Sequence, residues 1–349
     1  MKDITYCASS FLMYRDIVNK SKSFNDKPIF ISPPQKKLIN KIRNSEQLEQ
    51  FLKNKIQSLT SDGKTALALS GGVDSAILAK YMPEGSTAYT FKCTVPNKVV
   101  ADESVQASIY AKMYNLKHKI IEISWEDMEK YSTALMLNKN APIHSIEVQI
   151  YKAALEAKND GFTRIIFGEP ADILFGGLDK LLSKDWTIGD FINRYCYVLP
   201  YKVLKDYVME LDPIINHCLP NGYIDVHNFL MESVHESDVI EYENPCSLAG
   251  LQFIGIYDEI ELATTLDITR IRNGDPKYLI TELFKKYYPN LSPPQKLPFP
   301  RAVNEWLKDW EGPKRKEFWP RCTDSMTGDQ RWMVYILEKF LNLNESGDI

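Results

Sequence analysis

Leu67-Ala-Leu-Ser-Gly-Gly-Val-Asp-Ser-Ala76 is an apolar run that breaks into a glycine turn and restarts as a helix. Thr65 to Leu69 reads as a buried strand and Asp74 to Tyr81 has apolar residues at helical spacing, which predicts a strand, a turn and a helix N-terminus in succession. Ser70, Gly71 and Gly72 then fall where free amides and the helix dipole both face an anion. Two adjacent glycines also let a ligand come close to the backbone. The plain alternative is a tight βα connection with no ligand. A second chemical stretch, Gly168-Glu-Pro-Ala-Asp-Ile-Leu-Phe-Gly-Gly177, follows a predicted strand and sets Glu169 and Asp172 at its carboxyl end. Ligands of open α/β sheets bind at those ends, so the two loops can face one site. Asp74, Glu169 and Asp172 would together repel a triphosphate, and magnesium, which takes hard oxygen ligands, would resolve that conflict. Read without a ligand, Glu169 and Asp172 are a helix N-cap cluster.

The elements that must position these residues alternate: strand 65–69, helix 74–82, strand 87–91, helix 102–115, strand 118–123, helix 145–158 and strand 163–167. Alternation of this kind implies an α/β fold, a parallel doubly wound sheet with helices on both faces. Residues 1–63 read as an N-terminal appendage whose amphipathic pattern from Ser45 to Leu59 predicts a helix leading into the first strand. From about residue 185 apolar residues recur at three and four, as in Tyr201 to Leu211, Gly250 to Leu266 and Lys277 to Tyr288, so the C-terminal region reads as mainly helical. The proline-rich run from Pro289 to Pro300 must be irregular, because each proline removes a donor and restrains its neighbour. Gly63-Lys64-Thr65 looks like the end of a Walker A loop, but position 58 is Ser and the run precedes its strand instead of following it.

Bulk properties narrow the class. The 349 residues suffice for about two domains, and 44% hydrophobic with 25% charged residues is an ordinary globular balance. No stretch approaches the ~20 apolar residues of a membrane span, and Asp3, Arg15 and Asp16 interrupt any secretory pattern at the start. Six cysteines, none in a Cys-x-x-Cys pair, suit neither a zinc site nor a disulfide framework, and reduced thiols in cytoplasm are the expectation. A net charge of −4 argues against broad binding to nucleic acid.

Ser70-Gly-Gly-Val-Asp-Ser75 resembles the pyrophosphate loop of the ATP pyrophosphatase superfamily. Together with Gly168-Glu-x-Ala-Asp-x-x-Phe-Gly-Gly177 it resembles the synthetase domain of asparagine synthetase and its relatives, the β-lactam and carbapenam synthetases and the lasso-peptide cyclases. Asp102-Glu103 before a helix with Ala107 and Ala111, then Leu116 and His118, Pro142, Lys277 and Gln295-Lys296 agree with that likeness, which covers roughly residues 46–310. It implies a PP-loop, HUP-like sheet and a synthetase domain over residues 64–349. It also implies ATP and Mg2+ as cofactors, with Asp74 and Asp172 holding the metal and Gly71, Gly72 and Ser75 cradling the phosphates. Leu69, Ser70, Phe91 and Gly168 complete the implied ATP-binding set. Glu169 would lie at the reacting centre, and Lys296 would be the catalytic lysine.

The implied activity is an ATP-dependent carbon–nitrogen ligase that adenylates a carboxylate and passes the acyl group to ammonia or an amine. Departures qualify it. Lys2 stands where glutamine-dependent relatives place a nucleophilic cysteine, and about sixty residues cannot hold their glutaminase domain, so ammonia would come free or from a separate ammonia-supplying or pathway enzyme. Gly250-Leu-Gln-Phe-Ile254 replaces the family's Gly-Val-Glu-Ala-Arg run, which puts aspartate as substrate in doubt. Competing readings are a tRNA-modifying enzyme that adenylates a base, and a silent nucleotide-binding scaffold. Neither a membrane nor nucleic acid is expected as a partner, while a homo-oligomer stays open. His144 either lines the substrate cleft or caps the following helix. Trp306, Trp310, Trp319 and Trp332 read as core or interface aromatics.

Overall fold

The strand patterns set the architecture, because runs buried on both faces can only be central strands of a parallel sheet. The computed structural model describes residues 1–30, 39–295 and 299–346. Its strands are β1 (Asn40–Ile42), β2 (Thr65–Ala68), β3 (Thr87–Cys93), β4 (Lys117–Ile123), β5 (Arg164–Phe167), β6 (Gln252–Gly255) and β7 (Ile260–Leu262). Five of them form one sheet in the order β4-β3-β2-β5-β6, parallel throughout, while β1 and β7 pair separately. All four residues of β2 are buried, as its central place requires. Edge strand β4 instead exposes Lys117, Lys119 and Glu122, charges that discourage pairing with another chain.

Ten helices of eight residues or more occur among the described residues: α1 (Ile4–Tyr14), α2 (Ser45–Thr60), α3 (Val73–Tyr81), α4 (Ser104–Met113), α5 (Trp125–Lys139), α6 (Ser145–Asn159), α7 (Ile188–Tyr195), α8 (His235–Leu248), α9 (Tyr278–Tyr287) and α10 (Gly328–Ser346). Strand alternation sorts the core into two layers. Ala66, Ala68, Ile165 and Phe167 face one layer with α1, α5, α6, α8 and α10. Leu67, Leu69 and Ile166 face the other with α2, α3, α4 and α9. The chain runs outward from β2 through β3 to β4, then returns on the opposite face to β5 beside β2. Strand order therefore reverses between β2 and β5, and a crevice opens at their carboxyl ends.

Several segments differ from the sequence expectation. The N-terminal stretch expected as an appendage contributes α1 to the core, where Cys7, Phe11 and Leu12 are buried, and β1 to the small sheet. Residues 250–266, which read as helix, form β6, a 3-10 turn and β7. A short apolar run cannot be told from a helix by periodicity alone, and here pairing with β5 decides. The stretch from 201 to 211, also read as helical, is irregular apart from the end of a 3-10 turn at Pro200–Lys202 and an isolated bridge from Leu204 to Phe318. Helix α5 answers no periodicity; its start is set by Ser124, whose amide donates to Asp127 at 2.9 Å. Of the proline-rich run, residues 296–298 lie outside the described residues, and the rest is irregular.

Phe340 of α10 is fully buried and meets Phe24 edge-to-face at 4.8 Å, which ties the N-terminal segment to the core. Phe340→Ala is expected to lower the unfolding free energy by roughly 3–5 kcal/mol in a urea titration. A loss well under 1 kcal/mol would mean that this contact contributes little.

Candidate active site

Strand β2 ends at Ala68, and the chain turns through Ser70, Gly71 and Gly72 into α3. Serine hydroxyls shape the turn: Ser70 N–H donates to Ser75 Oγ at 3.0 Å, and Gly72 N–H donates to Ser70 Oγ at 3.1 Å. The first helical bond runs from Ala76 N–H to Gly72 C=O, so the amides of Val73, Asp74 and Ser75 point out of the N-terminus of α3. Helix α4 presses against the turn from behind. A Cβ on Gly71 would stand 3.1 Å from Glu103 Cβ and 3.2 Å from Gln106 Cβ, so only glycine fits without displacement.

The loop after β5 closes on this turn. A Cβ on Gly168 would lie 3.2 Å from Asp74 Cβ, which measures how tightly the loops meet. The Glu169–Pro170 peptide is cis, and Asp172 follows on a one-turn helix. Asp74 Oδ2 and Asp172 Oδ1 each lie 2.5 Å from Lys277 Nζ, at the head of α9. Burial works against the charge of this ammonium, but the Asp172 and Asp74 carboxylates outweigh it and raise the Lys277 pKa. Gly177 makes room for the bridge: a Cβ there would sit 2.0 Å from Lys277 Cε and 2.1 Å from Asp172 Oδ1.

Leu69, Ser70, Asp74, Ser75, Phe91, Gly168 and Glu169 line one cleft over the two loops. Gly71 and Gly72 form the turn beside it, and Asp172 reaches it through Lys277. Phe91 stacks on Phe299, centroids 5.3 Å apart, so the end of the proline-rich segment joins the cleft wall. Lys296 lies outside the described residues. Glu169 accepts a hydrogen bond from Tyr242 Oη at 3.0 Å. Burial, followed by the charges of Asp238 and Asp172, holds its carboxyl well above the usual range.

Four contributors were not read from the sequence as site residues: Lys277, Tyr242, Glu103 and Asp238. Lys277 and Glu103 had a signal, since the resemblance had marked each at the start of a helix. Glu103 faces the Gly71 amide inside the cleft, and burial pushes its carboxyl up to about 7. Of the two roles left open above, His144 takes the helix cap. Its amide donates to Glu147 at the start of α6, while its ring contacts Arg15 and Glu241. His118 is held between Thr90 and Ser108, a structural role.

The residues fit the implied metal and nucleotide. Asp74 and Asp172 present hard oxygen donors that already share one cation, the Lys277 ammonium, and a helix N-terminus with outward amides stands beside them. Among the described residues no group of three His, Cys, Asp or Glu side chains could hold a metal by itself. The cleft therefore suits a metal whose shell phosphate oxygens complete. No helix among these residues is long and apolar enough to cross a membrane.

A parallel doubly wound α/β sheet with two glycine loops meeting at its switch point defines a nucleotide-type site class. Residues 47–216 match the model of the asparagine synthase family. A protein of Methanocaldococcus jannaschii, named as a candidate glutamine-hydrolyzing asparagine synthetase, is 31% identical over 140 residues, 38% of this chain. The matched part spans a quarter of that relative's length (25%). Two solved structures align at a TM-score of 0.27. An NH3-dependent NAD synthetase from Campylobacter jejuni is 15% identical over 74% of this chain and all of its own, and an NMN synthetase from Francisella tularensis is 14% identical over 73% and all of its own. The fold assignment rests on the strand order and not on these two alignments.

Gly177→Ala is expected to cost about 1–3 kcal/mol by overpacking the Lys277 bridge, read from denaturant unfolding. A stability within error of wild type would mean that the bridge yields without cost. Glu103 gives a pH test. Its folded pKa is raised to about 7, so the unfolded chain releases this proton first and stability falls as pH rises from about 4.5 through 7. Glu103→Gln is expected to remove that decline, giving a variant whose advantage over wild type grows across the window and levels off above it. Parallel stability profiles would contradict the assignment.

Proposed function

We propose that the chain is an ATP-dependent carbon–nitrogen ligase, forming AMP and pyrophosphate, that adenylates a substrate carboxylate and transfers the acyl group to ammonia or an amine. One observation carries the reading. Asp74 and Asp172, on loops from neighbouring parallel strands, meet at a single buried ammonium 2.5 Å from each. Mg2+ bound by these two carboxylates would supply the positive charge against the departing pyrophosphate.

The chain's own residues account for the remaining work. The amides at the start of α3 and the Ser70–Gly72 turn bind phosphate oxygens, and Lys277 keeps an ammonium beside the same groups. Leu69 and Phe91 offer the apolar wall that a base needs. Glu169, kept protonatable by burial and hydrogen-bonded to Tyr242, accepts a proton from the incoming nitrogen. Lys296, three residues before the cleft residue Phe299, is assigned to stabilise the oxyanion of the tetrahedral intermediate and the leaving AMP. The match of residues 47–216 to the asparagine synthase family model supports the reaction class.

Labelled ATP, Mg2+ and a panel of carboxylic acids with ammonium chloride test the reading. AMP and pyrophosphate are the expected products, and ADP with inorganic phosphate would overturn it. Asp74→Asn and Asp172→Asn are each expected to cut product formation by roughly 10²–10³. Lys296→Ala is expected to keep ATP binding and lose amide product; undiminished amide would remove Lys296 from the mechanism.

A further inference from the structure

Phe91 and Cys93 lie two residues apart at the carboxyl end of β3, so both side chains leave the same face of the sheet, the face that α6 covers. Against them the chain returns as Phe299-Pro-Arg301. Phe299 lies nearly parallel to Phe91, with 15° between the ring planes, and both rings line the cleft together with Pro300. Pro300 has no N–H to offer, so its carbonyl is the one backbone group by which it can be held.

A buried amide holds that carbonyl. Gln149 of α6 is fully buried, and its Nε2 donates to Pro300 O at 3.1 Å. Cys93 Sγ lies 3.5 Å from the same oxygen and 3.5 Å from Gln149 Oε1. One thiol, one side-chain amide and one carbonyl thus form a small polar cluster inside an apolar layer, where the sequence neighbours of Gln149 are the buried Val148 and Ile150. An apolar side chain would fill this layer without desolvating an amide, and the desolvation of Gln149 is offset only while the Pro300 carbonyl stays in place.

Further bonds fix the residues that follow. Arg301 Nη1 donates to Phe299 O at 3.2 Å and its Nη2 to Asp329 of α10 at 3.0 Å. Trp306 Nε1 donates to Thr94 O, just beyond β3, at 3.2 Å. The cleft wall formed by Phe299 and Pro300 is therefore anchored to β3, α6 and α10.

We propose that Gln149 is a positioning residue for the nucleotide: by holding Pro300 it sets the ring of Phe299 beside Phe91 as the wall against which the purine base of ATP packs. The inference rests on the ligase reading and assigns the base end of its nucleotide. An aromatic face suits the π-face of a base, whereas the turn from Ser70 to Gly72 and the start of α3 suit phosphate. The two ends of the nucleotide then depend on different elements. Phosphate affinity belongs to the turn after β2, and base affinity to α6 acting through Pro300. Removing the Gln149 donor releases Phe299 and weakens the base contact while leaving the phosphate turn as it was.

Calorimetry on the full chain in Mg2+ tests the proposal with two probes, α,β-methylene ATP and inorganic tripolyphosphate, which differ in the base and sugar. Gln149→Met keeps the length of the side chain and removes its donor. It is expected to bind the nucleotide about tenfold more weakly, the scale of a lost base–aromatic contact, and to bind tripolyphosphate as wild type does. Phe299→Ala is expected to show the same split, and the double variant no further loss, because both changes remove one contact. Unchanged nucleotide affinity in Gln149→Met, an equal loss for both probes, or additive losses in the double variant would each overturn it. Should Gln149→Met fail to fold by circular dichroism, Gln149→Glu, which keeps the shape and turns an acceptor toward the Pro300 carbonyl, takes its place under the same criteria. A Phe299→Ala chain that binds both probes as wild type does overturns the proposal whichever variant folds. Failure of wild type to bind either probe would count instead against the ligase reading itself.

Discussion

Two half-buried carboxylates from different loops repel each other at close range, and the buried Lys277 supplies the cation that lets them meet. Its ammonium lies 2.5 Å from Asp74 and from Asp172, and it is 203 residues away from Asp74 in sequence. Breaking a pair of this kind by removing one partner leaves an uncompensated buried charge, which is why the arrangement constrains its neighbours so strongly. The missing side chains at Gly168 and Gly177 are part of the same constraint, since either Cβ would crowd the contact. Loop closure, cleft shape and the outward-facing amides of α3 all follow from this junction.

The cleft divides its charges. At the nucleotide end stand Lys277 and the helix N-terminus, which favour phosphate. Toward α8, Glu169 accepts from Tyr242, and Glu241 on the same helix pairs with Arg15 and His144. Here the positive group is set by α3 and α9, and the negative group by the β5 loop and α8. Helix α1 enters the second group through Arg15, although it lies outside the family-matched residues 47–216.

Strands and helices of the central sheet were legible because their signals are local. Buried four-residue runs such as Thr65–Ala68, glycine turns and helical spacing in 145–158 each state one element. The two glycine motifs also named the loops that meet at the switch point. Segments failed where tertiary pairing outranks local pattern: residues 252–255 became a strand because β5 offered an open edge. Residues 201–211 became largely irregular although their apolar spacing is helical.

What the sequence determined by itself was the parallel sheet, the pair of loops and the placement of Asp74, Glu169 and Asp172 on them. Spacing along a chain encodes a turn or a helix face, and those signals need no distant partner. Only the tertiary structure decided which charges meet. Lys277 reaches Asp74, Tyr242 reaches Glu169 and Arg15 reaches Glu241 across long stretches of chain. Electrostatic pairing depends on distance in space and on burial, and neither is written in the order of residues.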